Sequence, residues 1–366
     1  MRKTKFMIKW LPALALLLFL QSCREPEPIP PRGEYEGGYF ILNEGQFMHD
    51  NASVSHIKDD FTGKEDSVYF KVNNMALGDV AQSMFAKDNK IYFLINNSHK
   101  IVVADRWTME HKLLVTSYVR SPRYMIKISD RYALISDWGD VFDSNWNDVE
   151  DDYIAWYDME NDVITDTLHV DLGPNQMVYE NGNVYLLISG VGQSRNKVSV
   201  IDPVGKHVIT DITVGDRPVA IDKDDDDFIW VLSSGNQPWS QGGETRGNLS
   251  KIHPATNNVV SSYDFYTTEH PKFMDVDGND IYYILDDELY KMSTSDTDLP
   301  LWGVIDLGND IQTPYGLEII GDYIFVMDAN AYNDIGKVVV YDKNNYSKVT
   351  EFTTGFLPND ILKNDD

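Results

Sequence analysis

The feature that most constrains this chain is a sequence unit of 40 to 50 residues that recurs along most of its length. Six copies open on a proline, and these prolines are 52, 44, 53, 43 and 44 residues apart: Pro122, Pro174, Pro218, Pro271, Pro314 and Pro358. An aromatic and aliphatic run follows each of the first five after about ten residues. Two earlier runs, at 39–43 and 91–96, extend the series to seven. Repeats of this length with several short strands are typical of a β-propeller, so we predict an all-β fold with seven blades.

Residues 174–215 give the clearest copy of the unit. They predict an inner strand at 174–179, a second strand at 184–189, a third at 197–202 and an outer strand at 207–214. The third strand alternates apolar and polar residues as a half-buried strand does. In four copies the third strand ends on aspartate: Asp105, Asp158, Asp202 and Asp342. Aspartate side chains accept hydrogen bonds from turn amides, so we expect these four residues to be structural.

The two ends of the repeat array predict how the ring closes. Tyr39–Asn43 matches a second strand with no inner strand before it, and 358–362 matches an inner strand with nothing after it. The C-terminal strand is therefore expected to complete the first blade, which removes an exposed sheet edge. This interpretation makes residues 37–366 a single seven-bladed domain.

The N-terminal segment has the features of an export signal. Residues 1–22 combine a basic start with an apolar stretch too short to span a bilayer, which predicts a signal peptide. The sequence Leu20-Gln21-Ser22-Cys23 resembles a bacterial lipobox, which implies lipidation of Cys23. Cys23 is the only cysteine, so no internal disulfide is possible.

The next segment, 23–36, is rich in proline and charge and is predicted to be an extended tether. Its Glu25 and Glu27 resemble the surface-export signal of Bacteroidetes lipoproteins. That resemblance implies a domain anchored to the outer membrane and exposed at the cell surface.

Charge and composition exclude one class of partner. The formal net charge of −27 argues against nucleic acid, whose phosphates require clusters of lysine and arginine. The acidic runs at 147–152 and 222–227 are typical of solvated turns, and neither has the spacing of an EF-hand loop. We expect no metal site and no resident cofactor.

The copies differ mainly in the loop between the second and third strands, and in a propeller these loops surround one mouth of the channel. The longest are 137–152 and 234–247, and both carry tryptophan. Flat aromatic rings together with amide groups suit a large ligand with apolar faces and many polar groups. The predicted ligand contacts are Asn43, Phe47, Gln82, Arg123, Trp138, Trp146, Asn175, Gln237, Trp239, Tyr315, Tyr332, Asn333 and Asn359.

Catalysis finds little support in the sequence. There is no GxSxG motif, and the predicted domain has no cysteine that could act as a nucleophile. Carboxylates are numerous, but no pattern marks a general acid and base pair. We therefore expect a binding protein and not an enzyme.

The opening GGYFILNEGQF at 37–47, the repeated proline and the KVSVID type of strand resemble the YncE-like propeller lipoproteins of Bacteroidetes. Within that group the chain is most similar to the BtuG-type surface lipoproteins. The resemblance implies capture of cobalamin and related corrinoids and their delivery to a TonB-dependent, BtuB-like outer-membrane transporter. It implies membrane attachment through the lipid alone, and we expect no protein side chain on the cobalt.

Two alternatives remain open. A surface protein that binds a glycan or another nutrient would use the same aromatic residues as a platform. The other alternative is a protein-binding scaffold, or an enzyme with a metal or a carboxylate pair at the channel mouth.

Overall fold

Strands dominate the computed structural model, which describes residues 32–145, 147–240 and 242–365. They form seven antiparallel sheets in a ring, which confirms the predicted all-β propeller with seven blades. The predicted signal segment 1–22, Cys23, residues 24–31 of the predicted tether and Trp146 lie outside the described residues.

Blade 1 is built from both ends of the ring. Its strands are β1 (Tyr39–Asn43), β2 (Ser53–Ile57) and, innermost, β27 (Pro358–Lys363). β27 pairs antiparallel with β1, and Ile361 lies opposite Ile41. The prediction that the C-terminal strand completes the first blade is confirmed. An outer helix, α1 (Val68–Asn73), follows β2 in place of a fourth strand, which the repeat did not predict.

The other six blades have four strands each, and in every blade the first strand lies innermost. In chain order the strands of blades 2 to 4 are β3 (Ala81–Lys87), β4 (Lys90–Ile95), β5 (Lys100–Asp105), β6 (His111–Val115), β7 (Pro122–Lys127), β8 (Tyr132–Asp137), β9 (Tyr153–Asp158), β10 (Val163–His169), β11 (Pro174–Glu180), β12 (Asn183–Gly190), β13 (Ser194–Asp202) and β14 (His207–Thr213). Those of blades 5 to 7 are β15 (Pro218–Lys223), β16 (Ile229–Ser233), β17 (Asn248–His253), β18 (Asn258–Asp264), β19 (Lys272–Asp277), β20 (Asp280–Leu285), β21 (Glu288–Ser293), β22 (Ile305–Asp306), β23 (Pro314–Ile320), β24 (Tyr323–Asp328), β25 (Lys337–Asp342) and β26 (Lys348–Thr353). A short 3₁₀ turn, Asn330–Tyr332, interrupts the loop after β24.

The apolar runs of the second strands are explained by packing between blades. In β4, Phe93 packs with Phe40 of blade 1, whereas Tyr92 and Leu94 pack with Ile135 of blade 3. Because both faces of a second strand are buried, the centre of the strand is a continuous apolar run without polar alternation. The core of the protein therefore lies between the blades, as a series of clusters around the ring.

The turn aspartates have the structural role that the sequence predicted. Oδ1 of Asp105 accepts hydrogen bonds from the amides of Trp107 and Thr108 at 2.9 and 3.0 Å. Equivalent pairs of bonds end β9, β13 and β25 at Asp158, Asp202 and Asp342. The prediction is confirmed at all four positions. No helix within the described ranges is long and apolar enough to cross a membrane.

Candidate functional site

The loops between second and third strands share one end of the ring with the starts of the inner strands. In six blades an amide at the end of the second strand, or just after it, donates to the carbonyl just before the inner strand. These bonds, 2.7–3.1 Å long, join Glu44 to Leu357, Asn96 to Val80, Trp138 to Ser121, Ser189 to Gly173, Ser234 to Arg217 and Ala329 to Thr313. We call this end of the channel the mouth. It is where the sequence placed the candidate ligand contacts.

A cavity of about 540 Å³ opens within the channel. All seven inner strands contribute to its wall, so no single blade forms the cavity. Of the predicted contacts, the structure places Gln82, Arg123, Tyr315 and Asn359 in this wall.

Arg123 and Trp138 form one side of the mouth. The guanidinium carbon of Arg123 lies 3.8 Å from the centroid of the Trp138 ring, a cation–π contact. The ring is fixed in turn, because Nε1 of Trp138 donates to the carbonyl of Pro174 at 2.8 Å. Desolvation by burial lowers the pKa of Arg123, although an arginine stays charged at any ordinary pH. The pair is a rigid cationic group facing the cavity.

Glu44, Tyr315 and Tyr332 form another side of the mouth. The hydroxyl of Tyr315 donates to Oε2 of Glu44 at 2.7 Å, and the Tyr332 ring meets that of Tyr315 edge-on at 5.7 Å. Burial raises the pKa of Glu44 above its usual range. Tyr332, at the outer end of this series, is exposed.

The amide side chains at the mouth are held at one end and free at the other. Nδ2 of Asn359 donates to the carbonyls of Ala81 and Gln82 at 3.0 Å, and Nδ2 of Asn175 donates to Ser189 Oγ at 3.2 Å. The Oδ1 atoms of both residues, and Oε1 of Gln176, are buried without a hydrogen-bond partner in the part of the chain that the structure describes. Buried oxygens in this state are acceptors that a ligand could satisfy.

Exposed aromatic rings lie on the loops above these groups. Trp239 of blade 5 is 82% exposed and Phe47 of blade 1 is 61% exposed. Gln237 is half-buried near Trp239, and Asn333 is exposed beside Tyr332. Large apolar side chains are seldom this exposed without a partner surface. These residues are separate from the cavity wall and would contact only a ligand that covers the mouth.

Asn43 is the predicted contact that the structure assigns to a different role. It is fully buried, its Nδ2 donates to the side chains of Ser53 and Ser55 at 3.2 Å, and its Oδ1 accepts from the amide of Gly355 at 2.9 Å. Both ends of the amide are therefore engaged within the protein. Asn43 closes blade 1 onto the last loop and is not available to a ligand.

The sequence reasoning missed an acidic layer deeper in the channel. Asp222, Asp275 and Glu318 each lie four residues after the proline that opens their copy, and Asp360 belongs to β27. Asp222 Oδ2 accepts from the amide of Val276 at 2.9 Å, and Asp275 accepts from the amide of Ile319. The recurrence of an acid four residues after the proline, in three of the six copies, was the signal that could have revealed this layer.

These carboxyl groups retain protons more readily than free ones. Burial raises the pKa of Asp360 to about 6 and raises that of Glu318 well above its usual range. Burial also raises the pKa of Asp222, and burial followed by the negative charge of Asp222 raises the pKa of Asp275. Two carboxylates close together in a buried site repel each other, which favours the protonated form.

The site as a whole offers donors, acceptors and aromatic faces. Across the residues that the structure describes, no group of three or more histidine, cysteine, aspartate or glutamate side chains is placed to hold a metal ion. The fold and site thus define a seven-bladed propeller with a polar cavity and an aromatic rim at one end of its channel.

The chain belongs to the family described as a domain of unknown function, DUF5074, which matches residues 37–354. No protein with a curated description matches the chain. Its function is therefore not given by its family.

Solved structures share the fold at low sequence identity. A quinoprotein alcohol dehydrogenase-like protein from Bacteroides thetaiotaomicron aligns with a TM-score of 0.68 and 16% identity, covering 90% of this chain and 79% of its own. The periplasmic gluconolactonase of Pseudomonas aeruginosa aligns with a TM-score of 0.65 and 11% identity, covering 89% and 98%. A functionally unknown protein from Desulfotomaculum acetoxidans aligns with a TM-score of 0.62 and 12% identity, covering 90% of this chain and 99% of its own. At these identities the likeness concerns the fold alone.

Proposed function

We propose that this protein is a surface-anchored binding protein that captures cobalamin and related corrinoids at the mouth of its channel. The observation that carries the proposal is the pairing of exposed aromatic rings on the rim with unsatisfied amide oxygens below them. A corrinoid has a broad apolar ring bordered by amide side chains, so it matches both parts of this surface.

The size of the cavity suggests how such a ligand would bind. A whole corrinoid exceeds the cavity of about 540 Å³, so the ring would lie across the mouth. Phe47, Tyr332 and Trp239 would then contact the ring, and part of the ligand would extend toward Arg123. Aromatic contacts and amide hydrogen bonds would supply the affinity without any covalent chemistry.

Delivery to a TonB-dependent outer-membrane transporter is the second part of the proposal. It rests on the lipidation expected at Cys23 and on the predicted tether 23–36, of which Cys23 and residues 24–31 lie outside the described residues. A lipid anchor on a flexible tether would keep the domain near a transporter in the same membrane and raise its local concentration.

The proposal is tested by calorimetric titration of the full-length protein, in mild detergent, with cyanocobalamin. We expect saturable binding of one ligand per chain and no spectral sign of an axial histidine on cobalt. Absence of both heat and spectral change would refute corrinoid capture, and binding on a glycan array that cobalamin does not compete would favour a glycan receptor.

Two tryptophans provide a matched pair of variants. Trp239 lies on the rim, whereas Trp302 is also exposed, at 80%, but lies on the connection between β21 and β22. We expect Trp239→Ala to weaken corrinoid binding by about tenfold or more, since such ring contacts contribute on the order of 1 kcal/mol beyond their buried area. Trp302→Ala should leave the affinity unchanged, and equal effects of the two variants would argue against the rim as the binding surface.

A further inference from the structure

Arg123 is a cation without an acceptor. No hydrogen bond or ion pair of its guanidinium group is found within the described ranges, and its buried Nε has no partner. Nε of Arg217 is also buried without a partner in the described residues, but Arg217 is not in the cavity wall. Three arginines outside the wall are paired: Arg120 with Asp151, Arg131 with Asp158 and Arg195 with Asp171. An arginine at the wall of a cavity is costly to desolvate unless an acceptor compensates it.

The acids near Arg123 do not serve as that acceptor. Oε2 of Glu44 is bonded to Tyr315, and no ion pair joins Glu44 to Arg123 in the part of the chain described. Asp137 accepts instead from the amides of Arg120 and Ser121. The charge of Arg123 is therefore attracted by these groups from a distance but makes no direct contact with them.

The stacking on Trp138 determines which chemistry Arg123 can recognise. The indole holds one face of the guanidinium plane, so the N–H groups at its edge stay available. The edge of a guanidinium pairs in bidentate fashion with carboxylate or phosphate oxygens. Arg123 is also the only lysine or arginine in the cavity wall as described, whereas Glu44, Glu318 and Asp360 line the same cavity.

We propose that Arg123, supported by Trp138, binds a single oxyanion carried by the captured ligand, either a phosphodiester or a carboxylate. The surrounding acids make the binding of a free anion weak, so tight binding requires an oxyanion carried by a ligand that the mouth holds by other contacts. The identity of the anion rests on the proposed function: it is the phosphodiester of the nucleotide tail of cobalamin. The tail would then enter the cavity while the corrin ring stays on the rim.

The test compares the full-length protein with Arg123→Gln, Arg123→Lys and the control Lys206→Gln. Lys206 is exposed on the turn between β13 and β14, at the end of the blade away from the mouth, so its variant matches the loss of charge outside the site. Each protein is titrated with cyanocobalamin and with dicyanocobinamide, which lacks the nucleotide tail. Thermal melting by circular dichroism checks that every variant is folded.

We expect Arg123→Gln to weaken cyanocobalamin binding by about 10- to 100-fold, the range for loss of a charged hydrogen bond, and to change dicyanocobinamide binding by less than about threefold. Arg123→Lys should recover part of the loss, and Lys206→Gln should match the unaltered protein. Equal losses for both ligands, or no loss for either, would overturn the proposal.

A second readout separates this inference from the proposed function. The ³¹P line of inorganic phosphate or the ¹³C line of labelled acetate should broaden more with the unaltered protein than with Arg123→Gln, and the anion whose broadening depends on Arg123 identifies the class. If neither corrinoid binds but this difference persists, the oxyanion subsite stands and corrinoid capture fails. If corrinoids do not bind and neither line depends on Arg123, the subsite is refuted as well.

Discussion

Ring closure by β27 predicts a stability cost that can be calculated for one side chain. Ile361 is 5% exposed and packs with Ile41 of β1 and Phe325 of the neighbouring blade. Ile361→Ala removes three buried carbons, about 2.4 kcal/mol at about 0.8 kcal/mol for each. A residual cavity adds to this, so we expect the free energy of unfolding to fall by about 3 kcal/mol, within the range of about 2–5 for such substitutions.

The assay is urea unfolding followed by tryptophan fluorescence, with Ile221→Ala as a matched control. Ile221 is 7% exposed in the inner strand of blade 5, which is continuous in sequence with the rest of its blade. Both variants should lower the midpoint by similar amounts at unchanged slope. If Ile361→Ala costs less than about 1 kcal/mol while Ile221→Ala costs about 3, the closing strand contributes little to stability and the reasoning is wrong.

Three further predictions concern stability. Between pH 4 and 6 the folded protein keeps the proton of Asp360, whereas the unfolded chain has lost it, so the free energy of unfolding should fall as pH rises through this window. Urea titrations at several pH values should show a smaller fall for Asp360→Asn. Asp105→Ala removes two turn bonds and should cost about 1 kcal/mol in the same assay, whereas no change would show that these bonds are dispensable. Gly173 has φ +77°, and an added Cβ would lie 2.6 Å from the backbone of Gly190, whereas Gly321 has φ +62° and open space around the same position. Gly173→Ala should therefore lower the melting temperature far more than Gly321→Ala, and equal shifts would contradict the steric argument.

The blades could be predicted from sequence because the same physical constraints recur in each copy. A second strand buried on both faces must be apolar along its centre, as 91–95 of β4 and 324–327 of β24 are, and a tight turn after the third strand favours aspartate. Repetition distinguishes such constraints from chance, because a chance pattern would not recur every 40 to 50 residues. Blade 1 departs from the repeat, and there α1 in place of an outer strand had no counterpart in the other copies.

The site was harder to predict because the inner strands are irregular where they begin. Their pairing register shifts just after the opening residue, between Pro122 and Met125, between Pro174 and Met177 and between Pro314 and Gly316, for example. Such a bulge changes which side chains face the channel, so alternation along the sequence no longer reports it. This irregularity explains why the acid four residues after the proline went unrecognised, whereas Arg123, next to its proline, was among the predicted ligand contacts. It also places the unsatisfied groups of the mouth where the regular pattern of the fold is broken, which is where function is expected in a repeat protein.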